Sequence, residues 1–216
     1  MTPGGNPPVA LTIAGSDSGS GAGLQADIKT MAALGVFATT AVTAVTAQNT
    51  AEVREVHHVP VGMVTAQIRA VIDDLPVAAV KTGLLGTAAV VGAVGGLAAA
   101  GHLPRLVVDP VMVASTGRAL VADRCVEAYR RRLLPYALLV TPNLWEAALL
   151  AGLPASGVGD LDTMVEAARR IHRLGPTWVL VKGGHLPGVE TGSTARAPKA
   201  SSLRRRQPPQ RHGGSA

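Results

Sequence analysis

Six short segments of this chain hold residue types that bind or transfer small polar groups. The first, IAGSDSGSGAGLQADIKT over residues 13–30, reads as a strand, a Gly/Ser-rich turn and a helix. Glycine permits close backbone approach and positive φ, and a helix start presents unpaired N–H groups. The segment therefore suits a small polar or anionic ligand, or serves only as a strand-to-helix turn. It is not a Walker A loop, because no GKS or GKT follows, and it is not GxGxxG. AVTAQN, residues 44–49, puts Gln48 at a strand end. Its amide both donates and accepts, which fits the edge of a heteroaromatic ring, although a polar residue there is also ordinary. KTGLLG (81–86) and VVDPVM (107–112) come next. Asp109 directly follows an apolar run, so its carboxylate lies at the crevice end of a strand or folds back onto local backbone as a turn residue. In TPNLWEA (141–147), Asn143 and Glu146 have the spacing of a helix capping box. The functional alternative is that both face a magnesium-bound triphosphate, with Glu146 acting through metal waters. VLVKGGH (179–185) delivers Lys182 and two glycines to a strand end, where a lone Lys-Gly-Gly would be a loop.

These segments need a scaffold, and the remaining pattern supplies one. Strands are expected over 9–14, 38–46, 78–81, 105–109, 137–141 and 177–182, runs rich in Val, Leu, Ala and Thr that read as strands covered on both faces. Helical patterns fall between them at 22–34, 61–74, 87–100, 121–134, 144–151 and 160–174. In the last, Leu161, Met164, Val165, Ala168 and Ile171 form one apolar face, with Asp160 and Asp162 at the end where the helix dipole favours acids. Strand–helix alternation of this kind predicts a mostly parallel central sheet with helices on both faces. In such sheets ligands bind beyond the carboxyl ends of the strands.

Composition excludes several alternatives. Residues 195–216 hold six of the 20 basic residues and none of the 14 acidic ones. The remainder is charge-balanced, so no basic nucleic-acid face is expected on the body; the RRR of 204–206 reads as a solvated end. A single cysteine, Cys125, permits no intrachain disulfide and no CxxC site and is read as a buried thiol. Residues 1–10 lack a signal-peptide pattern, and the apolar stretch 84–100 is short for a membrane span. A cytoplasmic protein with no membrane partner is the expectation. Residues 1–8 read as a flexible N-terminus. Residues 187–216, rich in Pro, Ser, Gly and Arg, read as a disordered basic tail.

In this order, AGSDSGSGAGLQAD, AQNT, VVDPVM, TPNLWEA and VKGGH resemble the hydroxymethylpyrimidine/phosphomethylpyrimidine kinases of thiamine biosynthesis, members of the ribokinase-like superfamily. The resemblance runs from Ala10 to Leu186 and implies a three-layer ribokinase-like domain over 9–186. It implies ATP- and Mg2+-dependent phosphorylation of 4-amino-5-hydroxymethyl-2-methylpyrimidine and then of its monophosphate. By position, Gly15, Asp27 and Gln48 would hold the pyrimidine, with Leu84 and Val111 in less specific contact. Asn143 and Glu146 would serve the Mg-phosphate, Glu146 through water, Lys182 the nucleotide, and Asp109 is a further metal candidate. A homodimer is also implied. A pyridoxal kinase-like enzyme and a non-catalytic pyrimidine-binding protein are the alternatives.

Two departures from the family pattern stand out. The opening loop reads SDSGSGAG where the family has SDSSGGAG; a small residue remains at each step, so no loss is expected. No GTGC, GTGD or GAGD occurs in residues 185–216, although the family uses such a loop as an anion hole that also carries the base. Cys125 sits in a helical pattern and does not replace it. The expectation is a kinase domain missing its C-terminal elements, with impaired catalysis and an uncovered sheet edge.

Overall fold

The computed structural model describes residues 6–112, 123–154, 156–183 and 193–196. Its strands are β1 (Val9–Asp17), β2 (Phe37–Gln48), β3 (Val53–His58), β4 (Val77–Thr82), β5 (Val107–Val108), β6 (Leu139–Val140), β7 (Trp178–Lys182) and β8 (Ser193–Arg196). The helices are α1 (Gly23–Ala33), α2 (Val61–Ile72), α3 (Ala88–Ala99), α4 (Asp123–Ala128), α5 (Leu144–Ala151) and α6 (Leu161–His172). The strands form one sheet in the order β3-β2-β1-β4-β5-β6-β7-β8. Only the outermost pairs, β2/β3 and β7/β8, are antiparallel.

Leu11, Thr12, Ile13 and Ala14 are consecutive in β1 and all fully buried. Successive strand residues face opposite sides, so both faces of the sheet are covered, as a parallel sheet requires. Helix α1 packs on β1 and β2, α2 on β2, and α6 on β7. The expected mostly parallel three-layer α/β architecture is the one observed. No helix among the described residues is long and apolar enough to cross a membrane.

The chain runs outward from β1 to β3, then returns to place β4 on the other side of β1. Such a reversal is a topological switch point, where a crevice opens beyond the strand ends. The β1/β4 register pairs Thr12 with Lys81 and Ile13 with Thr82. The strand ends carrying residues 15–17 and 81–83 thus reach the crevice side by side.

Several expectations are corrected. VREVHH forms β3, which no apolar run announces: only Val53 is buried, because the strand is an edge and its outer surface is wet. The helix expected over 121–134 is α4 followed by a π-helical turn, Tyr129–Leu133, and a 3-10 turn, Leu134–Tyr136; residues 121–122 lie outside the described residues. Pro135 lacks the N–H that a continuing α-helix needs. In α6, Met164, Ala168 and Ile171 are buried as expected, while Leu161, in the first turn, is 61% exposed. Within the stretch read as a structureless tail, Ser193–Arg196 pair with β7. Backbone pairing needs no apolar side chain, and the unpaired N–H and C=O groups of β7 attract any strand within reach. Ser193–Arg196 thus extend the sheet by one strand, and β8 is its last strand among the described residues. Residues 1–5, 184–192 and 197–216 lie outside the described residues.

Candidate small-molecule site

The loop after β1 is closed from within. Asp17 Oδ1 accepts from the Gly19 N–H at 2.8 Å, and Oδ2 accepts from the N–H groups of Gly21 and Ala22 at 3.0 and 2.8 Å. Gln25 Oε1 accepts from Asp17 N at 2.8 Å, and Gln25 Nε2 donates to Ser16 Oγ at 2.7 Å. Ser18 Oγ donates to Gln48 O and accepts from Gln48 N, tying the loop to the end of β2. The N–H groups of Gly19, Gly21 and Ala22 are thus occupied by this internal carboxylate.

Two residues of the loop take left-handed backbone. Gly23 has φ +58°, and a Cβ on it would overlap the Gly15 carbonyl oxygen and lie 3.2 Å from Asp17 N. Ser20 has φ +58°, at the step where the family pattern carries glycine. Left-handed backbone costs serine more than it costs glycine. Ser20→Gly is expected to raise stability by about 1 kcal/mol, measured by urea denaturation; unchanged or lower stability would show that the serine conformation is not strained.

Beyond the strand ends lies a cavity of about 290 Å3. Gly15, Asp27, Gln48, Leu84 and Val111, the five residues assigned to the ring by resemblance, all line it, as does Asp109. Leu84 and Val111 supply apolar surface. Gly15 keeps the floor open, since a Cβ there would come within 3.3 Å of Leu84 Cδ2. Thr43 Oγ1 anchors the Leu84 carbonyl at 2.5 Å. Asp27 accepts from Thr12 Oγ1 at 2.6 Å and pairs with Lys81 Nζ at 2.8 Å.

Asn143, Glu146 and Lys182 do not line the cavity but abut it through Asp109. Lys182 Nζ pairs with Asp109 Oδ1 at 2.9 Å, and Thr141 Oγ1 donates to the same oxygen at 3.3 Å. Asn143 forms a bridge with Lys182. Glu146 is only 2% exposed. Its Oε2 accepts from Asn143 N at 2.9 Å and its Oε1 from Met112 N at 3.3 Å, while Asn143 Oδ1 accepts from Glu146 N at 2.9 Å. The capping box read from spacing is realised, and the same carboxylate clamps the segment after Asp109 to the start of α5. Burial pushes the Glu146 carboxyl up to about 7, against the pull of the Asn143 N–H; the Asp109 charge adds to the rise, and Lys182 and the Met112 N–H oppose it. Among the described residues no cluster of three or more His, Cys, Asp or Glu could hold a metal by itself. Cys125 is buried, its Sγ 3.9 Å from Gly86 O.

Sequence reasoning missed Asp17, Thr12 and Lys81 as parts of the site. Lys81 carried a signal, a charge closing an otherwise apolar strand. Asp17 lay inside the quoted loop, but its bonds to three later N–H groups depend on the turn conformation.

The cavity lies at the switch point of a mostly parallel α/β sheet and is walled in part by Asp27 paired with Lys81, with the Asp109–Lys182 pair at its edge. The phosphomethylpyrimidine kinase family model matches residues 17–213. A hydroxymethylpyrimidine/phosphomethylpyrimidine kinase of Mycobacterium bovis is 50% identical over 185 residues, covering 85% of this chain and 66% of the relative. One from Streptomyces coelicolor is 46% identical over 187 residues, covering 87% and 68%. The crystal structure of a Clostridium difficile phosphomethylpyrimidine kinase superposes with TM-score 0.79 at 38% identity, over 88% of this chain and 80% of that one. A Staphylococcus aureus pyridoxal kinase in complex with AMP-PCP and pyridoxal gives 0.80 at 33% identity, over 89% and 69%. The chain belongs to the phosphomethylpyrimidine kinase family. It spans about two thirds of the length of the curated relatives it matches.

Proposed function

We propose that this chain binds 4-amino-5-hydroxymethyl-2-methylpyrimidine, and its monophosphate, in the cavity at the β1/β4 switch point, for ATP-dependent phosphorylation in thiamine diphosphate synthesis. The observation that carries this reading is the convergence of Gly15, Asp27, Gln48, Leu84 and Val111 on one cavity of about 290 Å3, a size suited to a single small heterocycle. Asp27 and Gln48 would read the polar edge of the ring, and Leu84 and Val111 would pack against its faces.

The phosphate side would be Asp109, Asn143 and Lys182. Both bonds to Asp109 fall on Oδ1, so Oδ2 can take a metal water, and Mg2+ favours such sparse carboxylate ligation with water and phosphate oxygens filling its shell. When bound, Mg2+ would neutralise charge on the transferring phosphate. Glu146, enclosed behind them, would act by holding the Asp109–Met112 segment and Asn143 in place. Lys182 would move from Asp109 to the nucleotide phosphates. Residence in the cytoplasm and assembly as a homodimer belong to the same proposal; light scattering on the purified chain tests the latter.

No residue among those described is assigned as the base, and the GTGC-type sequence does not occur in 185–216. Weak turnover by this chain, with pyrimidine binding retained, is the expected result. The test is a coupled ATP-consumption assay with the pyrimidine and magnesium, beside a thermal-shift titration with the pyrimidine alone. A pyrimidine-dependent shift supports the reading; no shift, with a shift from pyridoxal instead, would sink it. The pyridoxal alternative is favoured by the fold match to the S. aureus enzyme, and the same titration separates the two.

A further inference from the structure

One wall of the cavity carries Asp27 on α1 and Lys81 on β4, backed by the fully buried Thr12 on β1. The parallel register sets Thr12 opposite Lys81, and Asp27 reaches between them. Thr12 Oγ1 donates to Asp27 Oδ2 at 2.6 Å, and Lys81 Nζ donates to Oδ1 at 2.9 Å and to Oδ2 at 2.8 Å. A carboxylate oxygen has two lone-pair sites. Both sites of Oδ2 are engaged, and Oδ1 keeps one. The side chains of Lys81 and Asp27 are 25% and 17% exposed, and both line the cavity.

Gly83 completes the arrangement. A Cβ there would lie 3.3 Å from Lys81 Nζ and 3.0 Å from Ala14 Cβ, so the ammonium packs closely over the glycine. An exposed ion pair between two long side chains fixes little. Here a second donor, Thr12, partial burial and the close packing over Gly83 hold the carboxylate in one orientation.

We propose that Lys81 is a positioning residue for ring recognition. With Thr12 it locks the Asp27 carboxylate so that the remaining acceptor site on Oδ1 is presented to a donor on a neutral nitrogen heterocycle, and it offsets the carboxylate charge in the wall. This inference deepens the pyrimidine-binding reading and rests on it for the identity of the ring. Lys81 acts through Asp27, so its removal weakens ring binding and leaves the phosphate side untouched.

The full chain and its variants are titrated calorimetrically with 4-amino-5-hydroxymethyl-2-methylpyrimidine, with thermal unfolding recorded alongside. Lys81→Met is expected to weaken binding on the order of ten- to a hundredfold, the loss that follows from disordering a charge-assisted acceptor. Lys81→Arg, whose guanidinium also engages both carboxylate oxygens, should restore most of it. Asp27→Asn combined with Lys81→Met should bind no more weakly than Asp27→Asn alone, the non-additivity expected of residues acting as one unit. Binding by Lys81→Met within about twofold of wild type, or losses that multiply in the double variant, overturns the proposal, since either lies outside the coupling expected of contacting groups. If Lys81→Met does not fold, Thr12→Val removes the other donor and is expected to weaken binding about three- to tenfold; unchanged binding overturns the lock. A wild type that gives no heat refutes the pyrimidine reading instead. The lock is then tested in a crystal structure of Lys81→Arg and Thr12→Val: a carboxylate turned from its wild-type position in Thr12→Val but not in Lys81→Arg supports it, and one unmoved in Thr12→Val overturns it.

Discussion

Gly23→Ala is expected to lower stability by about 2–5 kcal/mol and to abolish ring binding. Two costs add. The left-handed φ of +58° costs a residue with a Cβ about 1–2 kcal/mol. The added carbon would also overlap the Gly15 carbonyl oxygen and crowd Asp17 N and Cβ, and forced overpacking of that kind typically costs about 1–3 kcal/mol. The overlap falls on backbone at the cavity floor, so relief must move Gly15 or Asp17. Asp17 holds the N–H groups of Gly19, Gly21 and Ala22, and the shift therefore spreads through the whole loop. Urea denaturation gives the first number and a pyrimidine thermal-shift titration the second. A loss under about 1 kcal/mol with binding intact would mean that the loop relaxes more freely than its hydrogen bonds imply.

The second large effect is one of pH. Relative to Glu146→Gln, the wild type is expected to lose about 2.5 kcal/mol of unfolding free energy between pH 5 and pH 8. Burial pushes the Glu146 carboxyl up to about 7 from an ordinary 4.5. Between those values the unfolded chain has released this proton while the folded chain still holds it. Stability from this group is fully present below about pH 4.5 and is lost as pH rises through about 7, at up to about 1.4 kcal/mol per pH unit. Above that point both states are ionised and the slope vanishes. Using the difference between the two proteins cancels every other titrating group and any fixed cost of the glutamine facing two N–H donors. Denaturation curves at pH 5, 6, 7 and 8 decide it: parallel profiles would show that the carboxyl is not desolvated as its 2% exposure implies.

What could be read from sequence follows from where the determining interactions lie. β1 is announced by an apolar run because both its faces are buried, and β2 and β4 by runs of small and β-branched residues that are buried in part. The capping box of α5 was legible because Asn143 and Glu146 are three apart and the motif is local. The five ring-side residues came from motif resemblance, and strand ends at the switch point bring them together. β3 was invisible because VREVHH is a wet edge with Val53 alone buried. β8 was invisible because STAR carries no apolar run, and its pairing with β7 is a backbone register that no sequence pattern announces. Lys81 and Thr12 are 69 residues apart in sequence, and only the β1/β4 register makes them neighbours. The left-handed backbone of Ser20 has no marker, because serine there hides a conformation that glycine would have advertised.

From β4 onward each strand settles beside the one made just before it, so the sheet grows in a single direction as the chain is synthesised. The elements that supply Gly15, Asp27, Gln48, Lys81 and Leu84 all precede this growth, and Asp109 and Val111 arrive with its first step. A nascent chain that has emerged only through Met112 already carries every residue of the ring pocket, while Asn143, Glu146 and Lys182 are still to come. β5, β6 and β7 stand between β4 and β8. The late margin meets the ring pocket directly where Lys182, at the end of β7, pairs with Asp109, so this ion pair is the point at which change at the margin is felt in the pocket.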